Sequence, residues 1–380
     1  MVGLPDRVGS LAPRAIQVAS LAAPYACAVA TVQESELPAF FVCLSFTQMA
    51  GTVPVGPYED HIYLRTEESF RRNWIEVRAV ALGLGSALST LIFLRVVDTA
   101  LTLAVPFILL AGCMPTLRVQ LSRVQAADTT QAFSSSGVEL LLKVLFLLVA
   151  ASVPQKLVED GPAIGWSLVI STVAFLSLHP AIVRGRSSNL KSHVKANTGM
   201  LRTRNLPSLF AIAVASTAAS TLLIFAFDQE MKKFVESGGR PDVAAIVVLL
   251  PRLSTVLLFV LRPWLLQSQS KSILAGHQGR LYVGVLLALG GLHFTVRQRP
   301  LFSLLTLVVV FFFLQIQLAR LIREDLVRRA IMTAWVTVSL MALPLLFPSD
   351  FSIVRMFTLA GLLGVTVSVV AAKFQLNRGG

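Results

Sequence analysis

Charged residues are scarce in this chain of 380 residues. They make up 14% of the sequence, against 55% hydrophobic residues, and the mean hydropathy is +0.73. A soluble domain is typically about a quarter charged. This chain therefore lacks the polar surface that a water-soluble enzyme or binding domain needs, and its composition predicts an integral membrane protein.

Cysteines and clusters of side chains that could bind a metal or a cofactor are also sparse. The three cysteines, Cys27, Cys43 and Cys113, lie in or at the ends of apolar segments without CxxC spacing, which argues against a disulfide framework or a metal site. The five histidines show no ligand spacing, and no Gly-rich phosphate loop is present. We therefore expect neither a metal nor a cofactor. The net charge of +13 is spread over many loops instead of one soluble face, so a nucleic-acid partner is not expected either.

What the chain has in abundance is apolar segments long enough to cross a bilayer as helices. They predict an all-α integral membrane protein with about twelve transmembrane helices, of which the fifth and ninth are short. The predicted spans are Ala15–Val32, Leu37–Pro57, Ala79–Val97, Thr99–Leu117, Val138–Val153, Ala163–Val183, Ser208–Phe227, Val243–Leu266, Leu281–Val296, Leu301–Ala319, Ala330–Phe347 and Ile353–Ala372.

Lys and Arg fall mainly in every second connection between these segments. If the N-terminus is cytoplasmic, that side carries about three times as many Lys and Arg as the opposite side, as the positive-inside rule requires. If one span were absent, every later connection would lie on the opposite side of the membrane. The charge bias therefore supports twelve spans with both termini in the cytoplasm, in the inner (cytoplasmic) membrane of a cell.

The longest polar connection divides the chain into two halves of six spans. It predicts an N-terminal six-helix bundle at 1–183, a basic cytoplasmic connector at 184–207 and a C-terminal six-helix bundle at 208–380. Two such bundles are typical of transporters, with a pathway between them.

Four basic residues fall inside predicted spans: Lys143, Arg252, Arg262 and Arg355. A cation at mid-span costs roughly 2.5–3.5 kcal/mol on insertion scales and should face a bundle interior or a wet cavity. Arg252 lies deepest and follows Pro251. Lys143 has an alternative, a helical ion pair with Glu139 four residues earlier, while Arg262 and Arg355 could reach the membrane surface.

Acidic residues offer little for catalysis. Among them only Glu139 lies clearly inside a span, so the interior is cationic and suits an anionic substrate. Glu34 and Glu36 form an isolated pair in a short outer loop. We interpret it as a solvated loop, and we interpret the acids from Asp228 to Asp242 in the same way.

The sequence resembles the polysaccharide, or lipid-linked oligosaccharide, flippases of the multidrug/oligosaccharidyl-lipid/polysaccharide exporter superfamily. The similarity covers about Leu11 to Lys373. It rests on the basic connection from Arg65 to Arg78, the segment Thr116–Gln125 after the fourth span, and the segment Val248–Thr255 (VLLPRLST) in the eighth.

The resemblance implies a transporter and not an enzyme. Its implied substrate is a polyprenyl-pyrophosphate-linked glycan, flipped across the membrane for surface polysaccharide biosynthesis. It also implies a polysaccharide polymerase and other assembly proteins as partners, beside the lipid bilayer. Arg252, Lys143, Arg262 and Arg355 would line a cationic cavity for the pyrophosphate and acidic sugars.

Two other classes remain open on the sequence. A major-facilitator solute transporter has the same topology, although residues 56–72 lack the second glycine of that family's signature. A multi-span polysaccharide polymerase or glycosyltransferase is the enzymatic alternative. Such enzymes usually carry a large outer loop, and the longest one predicted here is Phe227–Val243.

Overall fold

The computed structural model describes residues 4–56, 72–127, 129–152, 160–184, 206–250, 300–323 and 326–346, together with residues 359, 361 and 363. Across these ranges the regular secondary structure is helical, without strands. The helices are α1 (Leu4–Thr31), α2 (Leu37–Thr52), α3 (Arg72–Val96), α4 (Leu101–Ala127), α5 (Thr129–Ser152), α6 (Asp160–Arg184), α7 (Leu206–Glu236), α8 (Pro241–Val248), α9 (Pro300–Arg323) and α10 (Val327–Leu346).

Five of the described helices are long and apolar enough to cross a membrane. The apolar segments are Ala79–Val96, Leu101–Ser122, Gln131–Ser152, Gly161–Leu178 and Phe210–Glu236. Leu37–Thr52 and Leu304–Leu318 form shorter apolar helices. The predicted helical, multi-pass membrane architecture is thereby confirmed. The count of twelve spans and the cytoplasmic termini stay predictions.

Several helices extend beyond the spans that hydropathy predicts. Helix α1 begins at Leu4 instead of Ala15, and α5 begins at Thr129 instead of Val138. The reason is that backbone amides and carbonyls within a membrane must be paired inside the element. A helix therefore continues through polar residues that lower the local hydropathy. The fifth span, predicted to be short, is a helix of 24 residues.

The chain divides into two compact units. The first comprises Met1–Leu201 with Pro241–Ile246, and the second comprises Arg202–Arg240 with Val247–Gly380. In the first unit α1 packs on α5, α3 on α4, and α6 on both α4 and α5. In the second unit α7 packs against α9 and α10. The predicted bundle boundaries at 183 and 208 stay predictions.

Helix α4 is the central helix of the first unit, and three neighbouring helices approach it through glycine. Gly51 of α2 faces Met114, Gly83 of α3 faces the Gly112 carbonyl, and Gly165 of α6 faces Pro106. A methyl group built on any of these three glycines would collide with α4. Small residues at membrane helix interfaces let backbones approach closely, which is the role of these glycines here.

Helix α3 turns into α4 through a left-handed residue, Asp98, with φ 56°. The Thr99 amide donates to the Leu94 carbonyl at 2.9 Å and the Asp98 amide to the Arg95 carbonyl at 3.2 Å. This is the hydrogen-bond pattern of a Schellman motif, which favours glycine or asparagine at the left-handed position.

We expect Asp98→Val to lower the free energy of unfolding by about 1–2 kcal/mol, because the left-handed conformation places Cβ too close to the following carbonyl. The measurement is denaturant-induced unfolding of the purified protein in detergent. Asp98→Gly is the matched control and should be close to neutral. Equal losses in both variants would mean that the aspartate side chain matters more than the backbone conformation.

Candidate functional site

Among the described residues of the first unit, four charged side chains are buried between helices. Arg14 on α1, Arg118 on α4, and Glu139 and Lys143 on α5 each have a relative exposure of 5%. Buried polar neighbours Gln17, Ser20 and Ser136 accompany them. We call these seven residues the cationic cluster, since three basic residues share it with one carboxylate.

Helical periodicity brings these side chains together. Arg14, Gln17 and Ser20 follow one another at intervals of three along α1, and residues three or four apart are neighbours on a helix surface. On α5 the same rule places Ser136, Glu139 and Lys143 on one face. Because α1 packs on α5, the two polar faces meet inside the unit.

Lys143, Glu139 and Ser20 form a compact hydrogen-bonded group. The Lys143 Nζ lies 2.5 Å from Glu139 Oε1 and donates to Ser20 Oγ at 2.6 Å. The Ser20 hydroxyl in turn donates to Glu139 Oε1 at 2.6 Å. The helical ion pair predicted from the spacing is confirmed, whereas a substrate-binding role for Lys143 stays a prediction.

Gln17 joins three helices through its two amide ends. Its Oε1 accepts from Arg118 Nη1 at 3.5 Å, and its Nε2 donates to Ser136 Oγ at 3.0 Å. An amide is suited to this position because it both accepts and donates. Gln17 thereby holds the guanidinium of α4 beside the polar faces of α1 and α5.

Arg14 and Arg118 were missed as interior residues by the sequence reasoning. The positive-inside count places both on the cytoplasmic side, which stays a prediction, but it did not anticipate that their side chains are buried between helices. The omission has a physical cause: predicted spans end where hydropathy falls, whereas α1 and α4 continue through these positions. The interval of three that links Arg14, Gln17 and Ser20 is a signal that could have revealed the polar face.

The other three predicted site residues, Arg252, Arg262 and Arg355, lie outside the described residues. Lys143 is therefore the one predicted cation that lies among the described residues, and Arg14 and Arg118 are buried in the same unit. The cationic cavity inferred from the sequence stays a prediction.

The acids predicted to lie in outer loops divide into two groups. Glu34 and Glu36 are exposed, as a solvated loop requires. Asp228 and Glu230 contradict the prediction: they lie within α7 and are buried, with 6% and 9% relative exposure. The helix extends to Glu236, so these residues belong to its packed surface. Asp228 Oδ2 lies 3.3 Å from Nζ of the half-exposed Lys232.

Comparison with known proteins finds similarity in structure alone. No protein-family model and no curated protein matches the sequence. A solved structure described as the crystal structure of MATE in the bent conformation matches with a TM-score of 0.51 and 12% sequence identity. The match covers 96% of this chain and 91% of that chain.

Two further solved structures match less closely. One is a crystal structure of a MATE mutant, with a TM-score of 0.45 over 96% of this chain and 92% of the other. The second is the outward-facing conformation of a multidrug resistance MATE family transporter of the MOP superfamily, with a TM-score of 0.44 over 98% and 94%. Both are 12% identical to this chain.

The protein is therefore a multi-pass helical membrane protein with the fold of a MATE protein. This similarity concerns chain architecture alone, since the substrate of a protein is set by its site and not by its fold.

Proposed function

We propose that the protein is an alternating-access transporter of the inner (cytoplasmic) membrane. Its substrate would be a polyprenyl-pyrophosphate-linked oligosaccharide, flipped between leaflets for surface polysaccharide biosynthesis. The observation that carries this proposal is the excess of buried cations over buried carboxylates among the described residues of the first unit: Arg14, Arg118 and Lys143 against Glu139.

Such an excess supports an anionic substrate. Each buried cation within a membrane costs roughly 2.5–3.5 kcal/mol, and residues of this kind mark substrate or ion pathways. An arginine guanidinium matches a phosphate oxygen pair with two parallel hydrogen bonds. A pyrophosphate would be attracted to these three cations, whereas a cationic drug would be repelled by them.

The same observations disfavour the other classes. The MATE fold favours an exporter of this superfamily over a major-facilitator transporter. For the enzymatic alternative, the longest predicted outer loop was Phe227–Val243. In the structure only Ser237–Arg240 separate the two helices at this position, because α7 extends to Glu236 and α8 begins at Pro241. Four residues are too few to form a catalytic loop, so a polymerase or glycosyltransferase site at this position loses support.

Arg118 gives the test of this proposal. In a host deleted for the gene, we expect Arg118→Gln to lower flipping about 10- to 100-fold. A hydrogen bond to a charged group contributes about 1.5–3 kcal/mol, and 1.4 kcal/mol corresponds to a factor of ten. Arg118→Lys should retain part of the activity. The measurement is the access of a membrane-impermeant glycan-modifying reagent to lipid-linked sugars, normalised to membrane abundance.

Arg95→Gln is the matched control, because Arg95 belongs to the same unit but is exposed. Its activity should be unchanged. Full activity of Arg118→Gln would overturn the cationic-cluster proposal, and single repeat units that reach the outer leaflet without growing would indicate a polymerase. The same assay applied to Arg252→Ala, Arg262→Ala and Arg355→Ala tests the cations predicted from the sequence.

The proposal includes the remaining sequence-based predictions. Two six-helix bundles at 1–183 and 208–380 would form the transporter, with the connector at 184–207 in the cytoplasm. A polysaccharide polymerase and other assembly proteins would act on the flipped repeat unit. Accumulation of completed repeat units on the inner leaflet of the deletion strain would support this placement after synthesis and before polymerisation.

A further inference from the structure

Glu139 occupies the position beside Lys143 that a substrate anion would take. Its Oε1 accepts from Lys143 Nζ at 2.5 Å and from the Ser20 hydroxyl at 2.6 Å. We propose that Glu139 is a resident counter-ion, which pairs with Lys143 in the empty transporter and is displaced when a phosphate oxygen of the substrate binds Lys143 and Ser20. This inference rests on the proposed function, since it assumes an anionic substrate.

The donors around Glu139 suit such an exchange. An ammonium group has three hydrogens, and Lys143 uses two of them, for Glu139 and Ser20. No other described residue accepts the third. The Ser20 hydroxyl donates one hydrogen, which now points to Glu139 Oε1. A phosphate oxygen in place of that carboxylate oxygen would receive the same two hydrogen bonds, and the unused Lys143 hydrogen is available for a second oxygen.

The exchange begins within one helix. Glu139 and Lys143 lie one turn apart on α5, so a change of the glutamate rotamer would separate the two charged groups, while the substrate would reach them when α1 and α5 move apart during transport. Ser20 approaches from α1, and Gln17 on the same helix holds Arg118 at 3.5 Å.

A resident carboxylate has two effects on transport. In the empty protein it prevents a buried, uncompensated lysine, which would be strongly destabilising. In the loaded protein it competes with the substrate for Lys143, which weakens binding and speeds release. Glu139 is thus an affinity-determining residue, and its removal should tighten substrate binding instead of weakening it.

The test measures binding to the full chain in lipid nanodiscs. The probe is farnesyl pyrophosphate, and uncharged farnesol is the matched control ligand. An opposite charge within about 4–6 Å shifts an ionic equilibrium by one to three powers of ten. We therefore expect Glu139→Gln to bind farnesyl pyrophosphate at least about tenfold more tightly than the unaltered protein, with farnesol binding unchanged. The double variant Glu139→Gln/Lys143→Gln should lose this gain.

Thermal unfolding supplies a second readout. Glu139→Gln leaves Lys143 without its counter-ion, so farnesyl pyrophosphate should raise the Tm of this variant more than that of the unaltered protein. If Glu139→Gln does not fold, Glu139→Asp withdraws the carboxylate by one methylene group and should also bind more tightly.

The outcomes separate the two proposals. If the unaltered protein prefers farnesyl pyrophosphate to farnesol but neither Glu139 variant binds it more tightly, the counter-ion inference is overturned and the anionic substrate class stands. If the unaltered protein binds both ligands equally, the anionic substrate class fails, and the counter-ion inference fails with it. Tighter binding that persists in the double variant would also contradict a role through Lys143.

Discussion

Lys143→Met is expected to lower the free energy of unfolding by about 3–5 kcal/mol, because it leaves the Glu139 carboxylate buried without its cation. Glu139 has 5% relative exposure, and Ser20 is its other hydrogen-bond partner among the described residues. The loss would fall on the packing of α1 against α5, where all three side chains meet. Denaturant-induced unfolding in detergent, with membrane abundance as a second measure, gives the value.

The control for this prediction removes both charges. Replacement of a buried ion pair by hydrophobic residues of similar size is often neutral or stabilising, so Lys143→Met/Glu139→Leu should recover most of the stability that Lys143→Met loses. A double variant that is as unstable as the single one would mean that Lys143 stabilises the unit through contacts other than Glu139.

The second large effect is expected at Gly83, where a methyl group would collide with the backbone carbonyl of Gly112. Overpacking typically costs 1–3 kcal/mol and occasionally more. Because a backbone atom cannot rotate away, we expect Gly83→Ala to lower the free energy of unfolding by about 3 kcal/mol. Gly83→Leu should prevent α3 from packing on α4. We expect this variant to be lost from the membrane fraction, which is measured as its membrane abundance.

Two glycines on the same helix pair serve as controls. Gly85→Ala places its methyl group in open space, so it should be neutral or stabilising by up to about 1 kcal/mol, the usual difference between glycine and alanine in a helix. At Gly112 a methyl group would make ordinary contacts at 3.7 Å with Ala87 and 3.8 Å with the Gly83 carbonyl. Gly112→Ala should therefore be tolerated. A stable Gly83→Ala protein would contradict the close approach of the two helices.

The helical membrane architecture could be predicted from the sequence, because apolar runs of sufficient length have few other structures available in a bilayer. The pairing of Lys143 with Glu139 could be predicted as well, since both residues lie within one turn of one helix. The positions of the helix ends could not be predicted in this way. Hydropathy measures transfer of side chains into lipid, whereas a helix ends where its backbone pairing ends.

Which residues come together in the cationic cluster could not be predicted from a single sequence. Gln17 and Ser20 are separated by 119 residues from their partners Ser136 and Glu139, and no local pattern determines which helices pack together. The burial of Arg14 and Arg118 could not be predicted for the same reason. A basic residue at the end of an apolar segment can reach the membrane surface or turn inward, and the choice depends on neighbours such as Gln17.

The location of the Glu139–Lys143 pair within one helix also bears on how the protein is made. Glu139 and Lys143 are the only charged residues of α5, so that helix can leave the translocon as a formally neutral segment, already paired internally. Arg118 on α4 has no such acid on its own helix, and Gln17 of α1 is among its partners. Since α1 is synthesised first, Gln17 and Ser20 are already in the bilayer when α4 and α5 arrive. The order of synthesis thus supplies each of these two cations with an acceptor as it enters the membrane.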